Sequence, residues 1–293
     1  MPSLHDIEKE AVRIKYLREL CNYTNRNVIA YFSNWLSYDC FGDLYVNDND
    51  LNGLMSAVYN LDRRKGLDLI LHTPGGNPDA TEAIVIYLRK MFGEDIRAIV
   101  PHLAMSAGTM LACSCKEIIM SKHSFLSPID PQFGNNSAYD IVSEFDEAYI
   151  DIQSDPSMIN YWSLRLGQAP LALYKMCQDA IALSSELAKE WLETNMLKNE
   201  IHKAGEVVDK LNEHDKSKTH GRHYDIETCK GFGLTVQALE DDPRLQDLVL
   251  SVHHSYMVLF SGAPIAKIIE NHNGIGQITK GAVGILLNPA APF

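Results

Sequence analysis

The sequence predicts an α/β protein built on parallel strands joined by crossover helices. Two compact apolar runs, Leu67 to Leu71 and Ile96 to Val100, have the composition of buried strands, and each runs into a helical pattern. From Lys65 onward the two kinds of segment alternate, at 67–72, 78–92, 96–100, 106–115 and 117–121. That rhythm belongs to parallel strands with helical returns. It sets two strand-to-helix junctions side by side at one sheet edge: His72-Thr73-Pro74-Gly75-Gly76 and Ala104-Met105-Ser106-Ala107-Gly108-Thr109.

The remaining elements follow in chain order. Residues 4–20 read as an amphipathic helix, with Ile7, Val12, Ile14, Leu17 and Leu20 among charges. Asn27 to Phe32 is a strand, and the segment from there to Asp50 is turn-rich. Asp50 to Asp62 is helical, with Leu51, Leu54, Met55, Val58 and Leu61 on one side. The helix at 78–92 is well punctuated: Asn77 is a good N-cap, Pro78 suits the first turn and Gly93 stands beyond the last residue. Ile84, Val85, Leu88, Met91 and Phe92 form its buried stripe.

Downstream, Ser127-Pro128-Ile129-Asp130-Pro131-Gln132 is turn-rich. A long helix is expected from about Pro170 to Met196, with Leu173, Met176, Cys177, Ala180, Leu187 and Trp191 as its apolar face. The charged, histidine-rich stretch 200–224 reads as an exposed connection. The tail from Asn271 is rich in Gly and Ala, and is expected to be flexible or to dock on a neighbour.

Composition narrows the function. At 293 residues the chain is one large domain, or a domain with an appendage. A net charge of −12 argues against capture of nucleic acid, which needs a concentrated basic surface. No run approaches the roughly 18 apolar residues of a membrane span, and Glu8 to Glu19 reads as charged helix and not as a signal peptide. The expected location is cytoplasmic. Six cysteines without a secreted-scaffold pattern read as reduced thiols. Cys113-Ser114-Cys115 lacks the two-residue gap of a metal or redox pair. His220 with His223, and His253-His254, have no Glu or Cys at a matching interval, so no metal is expected. No cofactor is expected either: no Gly-x-Gly-x-x-Gly follows a strand, and no lysine has a pyridoxal-phosphate context.

Taken singly, each junction has a plain structural explanation. Pro74-Gly75-Gly76 makes a tight turn, and Ser106 makes an N-cap. Together they put a hydroxyl nucleophile beside free backbone amides, the combination acyl transfer needs. In this context Leu67 to Gln132 resembles the Clp protease/crotonase superfamily, and within it the serine-dehydrogenase-type (SDH) proteinases, relatives of signal peptide peptidase A. The resemblance rests on Leu71-His72-Thr73-Pro74-Gly75-Gly76, on Ala104 to Thr109 and on Lys116 to Gln132. A fainter echo runs from Gly221-Arg222 to Gly233-Leu234.

The resemblance implies a spiral of ββα units over residues 27–235, preceded by a helix at 1–26 and followed by a helical extension and tail at 236–293. It implies Ser106 as nucleophile and the amides of Gly76 and Ala107 as oxyanion donors. It also implies a peptide or protein substrate and a homo-oligomer.

The general base is less determined. Where the Clp proteolytic subunit has a histidine, this chain has Ile129 and Asp130. A carboxylate with a pKa of about 4 is a poor base toward serine unless burial raises it. His123 is the imidazole nearest in sequence. Signal peptide peptidase A uses a lysine, and here Lys175, beside Leu173 and Met176, is the candidate for a Ser-Lys dyad. Asp179 one turn on equally suits a solvated ion pair. Lys175 is therefore the expected base, with His123 and Asp130 as secondary candidates. Two other functions share the fold: a crotonase-type acyl-CoA enzyme, for which no adenine-binding mark is found, and a catalytically silent scaffold.

Overall fold

The computed structural model describes residues 4–37, 40–134, 136–212 and 219–283. Its strands are β1 (Asn27–Ser33), β2 (Cys40–Phe41), β3 (Leu67–His72), β4 (Ile96–Val100), β5 (Glu117–Met120), β6 (Gln132–Phe133), β7 (Asn136–Ser137), β8 (Val236–Ala238), β9 (Ile265–Asn271), β10 (Gly276–Lys280) and β11 (Ala282–Val283). Its helices are α1 (Leu4–Thr24), α2 (Asp50–Val58), α3 (Pro78–Phe92), α4 (Ala107–Cys113), α5 (Ala138–Ser154), α6 (Ile159–Leu166), α7 (Leu173–Trp191), α8 (His202–Asn212), α9 (Ile226–Phe232) and α10 (Pro243–Phe260).

Seven strands form one sheet in the order β10-β9-β1-β3-β4-β5-β8. The run from β1 to β8 is parallel, and β9 and β10 add antiparallel neighbours at the β1 side. The expected α/β architecture with crossover helices is therefore present.

Alternation along the strands decides which layer each side chain joins. Ile29 and Tyr31 of β1, Leu67, Leu69 and Leu71 of β3, and Ile96, Ala98 and Val100 of β4 face one core, which α2, α3, α4 and α7 cover. Val28, Ala30 and Phe32, with Ile70, Ile99 and Ile119, face the opposite core against α1 and α10. Both faces are covered, so the central strands are predominantly apolar, broken chiefly by Asp68 and Arg97, which pair with each other.

Beyond the carboxyl ends of the main strands lies a second, rudimentary ladder. Isolated bridges join Val46 to Gly76, Thr73 to Ala104, Leu103 to Phe125 and Leu126 to Tyr224. Each turn of the chain thus contributes one long strand, one short extended step and a helix, which is the ββα repeat.

Three expectations need correction. The stretch 200–224 contains α8, whose Ala204, Val207, Val208 and Leu211 are buried; these apolar residues were masked by the charges between them. The segment after Asn271 turns into β10 and β11, so 276–280 and 282–283 are strands and not a loose tail; 284–293 lie outside the described residues. The C-terminal extension is accordingly helix plus strands. The long helix spans Leu173–Trp191 and finishes in a π turn at Leu192–Met196.

Candidate active site

The site is assembled where β3, β4 and β5 leave the sheet. β3 runs into Thr73-Pro74-Gly75-Gly76, and β4 into the extended step that ends at Ser106. The two segments are stitched together: Thr73 N–H donates to Leu103 O at 3.0 Å and Met105 N–H to Thr73 O at 3.0 Å.

Ser106 has φ 51° and ψ −115°. A non-glycine residue held there costs about 1–3 kcal/mol and persists only where its surroundings fix it. Here Ser127 Oγ accepts from the Ser106 amide at 2.6 Å, while Thr109 Oγ1 donates to Ala104 O at 2.9 Å and accepts from Ser127 N–H at 3.0 Å. The Ser106 hydroxyl makes no capping bond to α4. The turn presents it outward.

Gly75 and Gly76 have φ of 95° and 157°. A Cβ on Gly75 would lie 2.7 Å from Ser106 Cβ, so only glycine admits this approach. A Cβ on Gly76 would lie 2.3 Å from Val46 O, so any side chain at 76 disturbs packing before it tests the amide. Val46 N–H donates to Gly75 O at 2.8 Å. The Gly75 carbonyl and the Gly76 N–H share one planar peptide and point in opposite directions, so this bond aims the Gly76 N–H away from Val46. Ala107 N–H is one of the unpaired donors of the α4 N-terminus.

A pocket of about 640 Å3 is lined by Gly76, Ser106, Ala107 and His220, with Met110, Ile129, Phe133 and Ala180 among its apolar walls. His220 Nδ1 is 2.8 Å from Asp130 Oδ1. The carboxyl is 1 % exposed and the imidazole 28 % exposed. Gln132 Nε2 donates to the other Asp130 oxygen at 2.8 Å. An acceptor-only carboxylate makes Nδ1 a donor, so in the neutral ring the lone pair is on Nε2.

Ser106, Gly76 and Ala107 line one pocket, and Asp130 is connected to its wall through the His220 imidazole. Lys175 does not. Its ammonium is 69 % exposed and pairs with Asp179 at 2.6 Å on the outer face of α7, and it is absent from the pocket wall. The expectation of a desolvated lysine base is corrected to a surface ion pair. His123 is bonded to Ser121 Oγ at 2.8 Å and is also absent from the pocket wall. Sequence reasoning missed His220, which it weighed only as half of a metal pair with His223. The usable signal was the buried carboxylate position at Asp130, which calls for a cationic or N–H partner.

Histidines also cluster on the other face of the sheet. The rings of His72, His102 and His253 lie 5.3–5.7 Å apart, between β3 and α10. Burial pushes His72 well below the usual histidine range and His253 down to about 3. Among the described residues no group of His, Cys, Asp or Glu is arranged to hold a metal ion, and no helix is long and apolar enough to cross a membrane.

Two relatives come from Methanocaldococcus jannaschii. The uncharacterized protein MJ0137 is 34% identical over 161 residues, covering 54% of this chain and 56% of that protein. The uncharacterized protein MJ1495 is 30% identical over 136 residues, covering 45% and 46%. The chain therefore spans about half the length of the curated relatives it matches. A family model described as ClpP-like SDH-type serine proteinase matches residues 1–254. With that match over most of its length, and a mostly parallel α/β sheet carrying the serine turn, the chain belongs to the ClpP-like SDH-type serine proteinases.

Proposed function

We propose that the protein is a serine peptidase in which Ser106 is the nucleophile, His220 the general base and Asp130 the group that orients it. The observation that carries this reading is the shared pocket of Ser106 and His220, with the far nitrogen of the ring held by a buried carboxylate. In the reaction, His220 Nε2 takes the Ser106 proton as Oγ bonds to the substrate carbonyl carbon. The amides of Gly76 and Ala107 receive the oxyanion, each donor contributing roughly 2.7–4 kcal/mol to the transition state. The imidazolium, stabilised by Asp130, then protonates the leaving amine, and water releases the acyl group by the same steps.

The apolar walls at Met110, Ile129 and Phe133 suit a peptide or protein substrate with an apolar side chain next to the scissile bond. A homo-oligomeric assembly and a cytoplasmic location are part of the same proposal. Leu164 and Leu171, 86 % and 97 % exposed, are apolar surface that assembly would cover.

Labelling with a fluorophosphonate, followed by mass-spectrometric site mapping, tests the reading. The expected result is one adduct on Ser106, absent from Ser106→Ala and strongly slowed in His220→Ala. A folded wild-type protein that takes no label, or takes it elsewhere, overturns it.

A further inference from the structure

Buried polar groups tie β9 to the loop beside the glycine turn. Lys267 is 0 % exposed, and its Nζ lies 2.5 Å from Asp50 Oδ1. Tyr31 Oη donates to Asp50 Oδ2 at 2.7 Å. At the turn itself, Gly75 N–H donates to Thr73 Oγ1 at 3.1 Å. Lys267, Asp50, Tyr31 and Thr73 are all fully buried or nearly so. A second arm leaves the same ammonium: Lys267 donates to Tyr45 O at 2.8 Å, and Asn47 N–H donates to Asp50 Oδ2 at 3.1 Å. These bonds bracket Val46, whose N–H holds Gly75 O and whose carbonyl accepts from Asn77 N–H at 2.9 Å.

We infer that Lys267, Asp50, Tyr31 and Thr73 are positioning residues that lock the orientation of the Gly75–Gly76 peptide. The inference rests on the reading of Gly76 N–H as an oxyanion donor. The direction of the Tyr31–Asp50 bond is fixed from its charged end. Asp50, as a carboxylate beside an ammonium, only accepts, so Tyr31 must donate to it. Thr73 Oγ1 accepts from Gly75 N–H and so fixes the turn at its other side. Glycines flanking a peptide let it rotate at little steric cost, and a rotated Gly75–Gly76 unit would turn its carbonyl oxygen toward the developing oxyanion. The Thr73 bond to Gly75 N–H and the Val46 bond to Gly75 O oppose that rotation from two sides, and the second is set by Lys267 and Asp50, with Tyr31 holding the carboxylate. Lys267 lies beyond the residues the family model matches.

Tyr31→Phe and Thr73→Val each remove one hydroxyl and keep the packing volume, whereas Lys267→Met strands the Asp50 carboxylate and serves only as a comparison. Two readouts are needed. The first is amide hydrogen exchange of Gly75, resolved by NMR; it is expected to rise at least tenfold in Thr73→Val while exchange within β5 is unchanged. The second is kinetic: kcat is expected to fall tenfold or more with KM within about twofold. Affinity for a peptide aldehyde, which forms a tetrahedral adduct on Ser106, is expected to fall by the same factor as kcat. Unchanged exchange at Gly75 in Thr73→Val overturns the positioning of the turn. Faster exchange with undiminished kcat and aldehyde affinity overturns its catalytic purpose. A wild-type protein that no probe labels at Ser106 instead sinks the peptidase reading, and the inference with it.

Discussion

His220 and Asp130 are 90 residues apart in sequence, and Nδ1 of one lies 2.8 Å from Oδ1 of the other, with the carboxyl almost wholly withdrawn from water. A carboxylate in that setting fixes the ring's tautomer and its rotation together.

The first prediction follows from that contact. Asp130→Asn should leave the loop folded, because asparagine is isosteric. It should lower kcat by roughly four orders of magnitude, as loss of the orienting carboxylate does in other serine hydrolases. His220→Ala should be at least as damaging. Steady-state kinetics on a peptide or ester substrate would show it, and near-wild-type turnover in Asp130→Asn would remove the carboxylate from the mechanism.

A second concerns Lys175. Because its ammonium is paired with Asp179 in water, Lys175→Ala and Lys175→Arg should both keep turnover within about twofold of wild type, since exposed pairs of this kind contribute little. An inactive Lys175→Ala alongside an active Lys175→Arg would point to a binding role for the charge. Loss in both would restore the lysine as base.

The strained backbone at Ser106 gives a third. Glycine accepts φ 51° without a Cβ penalty, so Ser106→Gly should be inactive yet more stable than Ser106→Ala by about 1 kcal/mol, the strain relief exceeding the added unfolded-state entropy. Urea melts of the two variants decide it. Equal midpoints would mean that the strain relieved only matches the added unfolded-state entropy.

The fourth is a pH dependence. His72 and His253 are held neutral by burial, with His102, His123 and His254 adding weaker repulsion of a proton on one or both. Their folded pKa values lie below the unfolded value of 6.5, so the unfolded chain binds more protons as pH falls below that value. Their contribution is complete above about pH 6.5 and is lost as pH falls toward the folded values, at up to about 1.4 kcal/mol per pH unit for each group. His253→Phe, which keeps a ring against Phe32, should flatten the decline between pH 6.5 and 4.5. Urea denaturation at several pH values measures it, and identical slopes in the two proteins would count against this account.

How much of this was legible beforehand divides along physical lines. The strands at 67–72 and 96–100, the Asn77 cap and the helix at 78–92 follow from local composition, and their limits match the structure closely. The Ser106 and glycine junctions were legible because steric demands there select particular residues. His220 was not, because the partner of a carboxylate is chosen by tertiary folding and leaves no periodic mark in a charged segment. β9 escaped notice for a similar reason. Ile265 to Asn271 interleaves Lys267, Glu270 and Asn271 with apolar residues, and these polar groups are buried only because Asp50, Arg13, Tyr256 and Ala57 meet them in space.

The place of β9 has a consequence for the order of synthesis. Ser106 and its glycine turn leave the ribosome long before β9, yet β1 gains its second sheet neighbour, and Asp50 its counter-ion, only when β9 docks. A nascent chain would therefore carry the serine without the finished turn until β9 had been made and had docked. Ribosome-bound chains stalled before Ile265 should resist fluorophosphonate, and released full-length chains should take it; ready labelling of the stalled chains would show that the turn sets without β9.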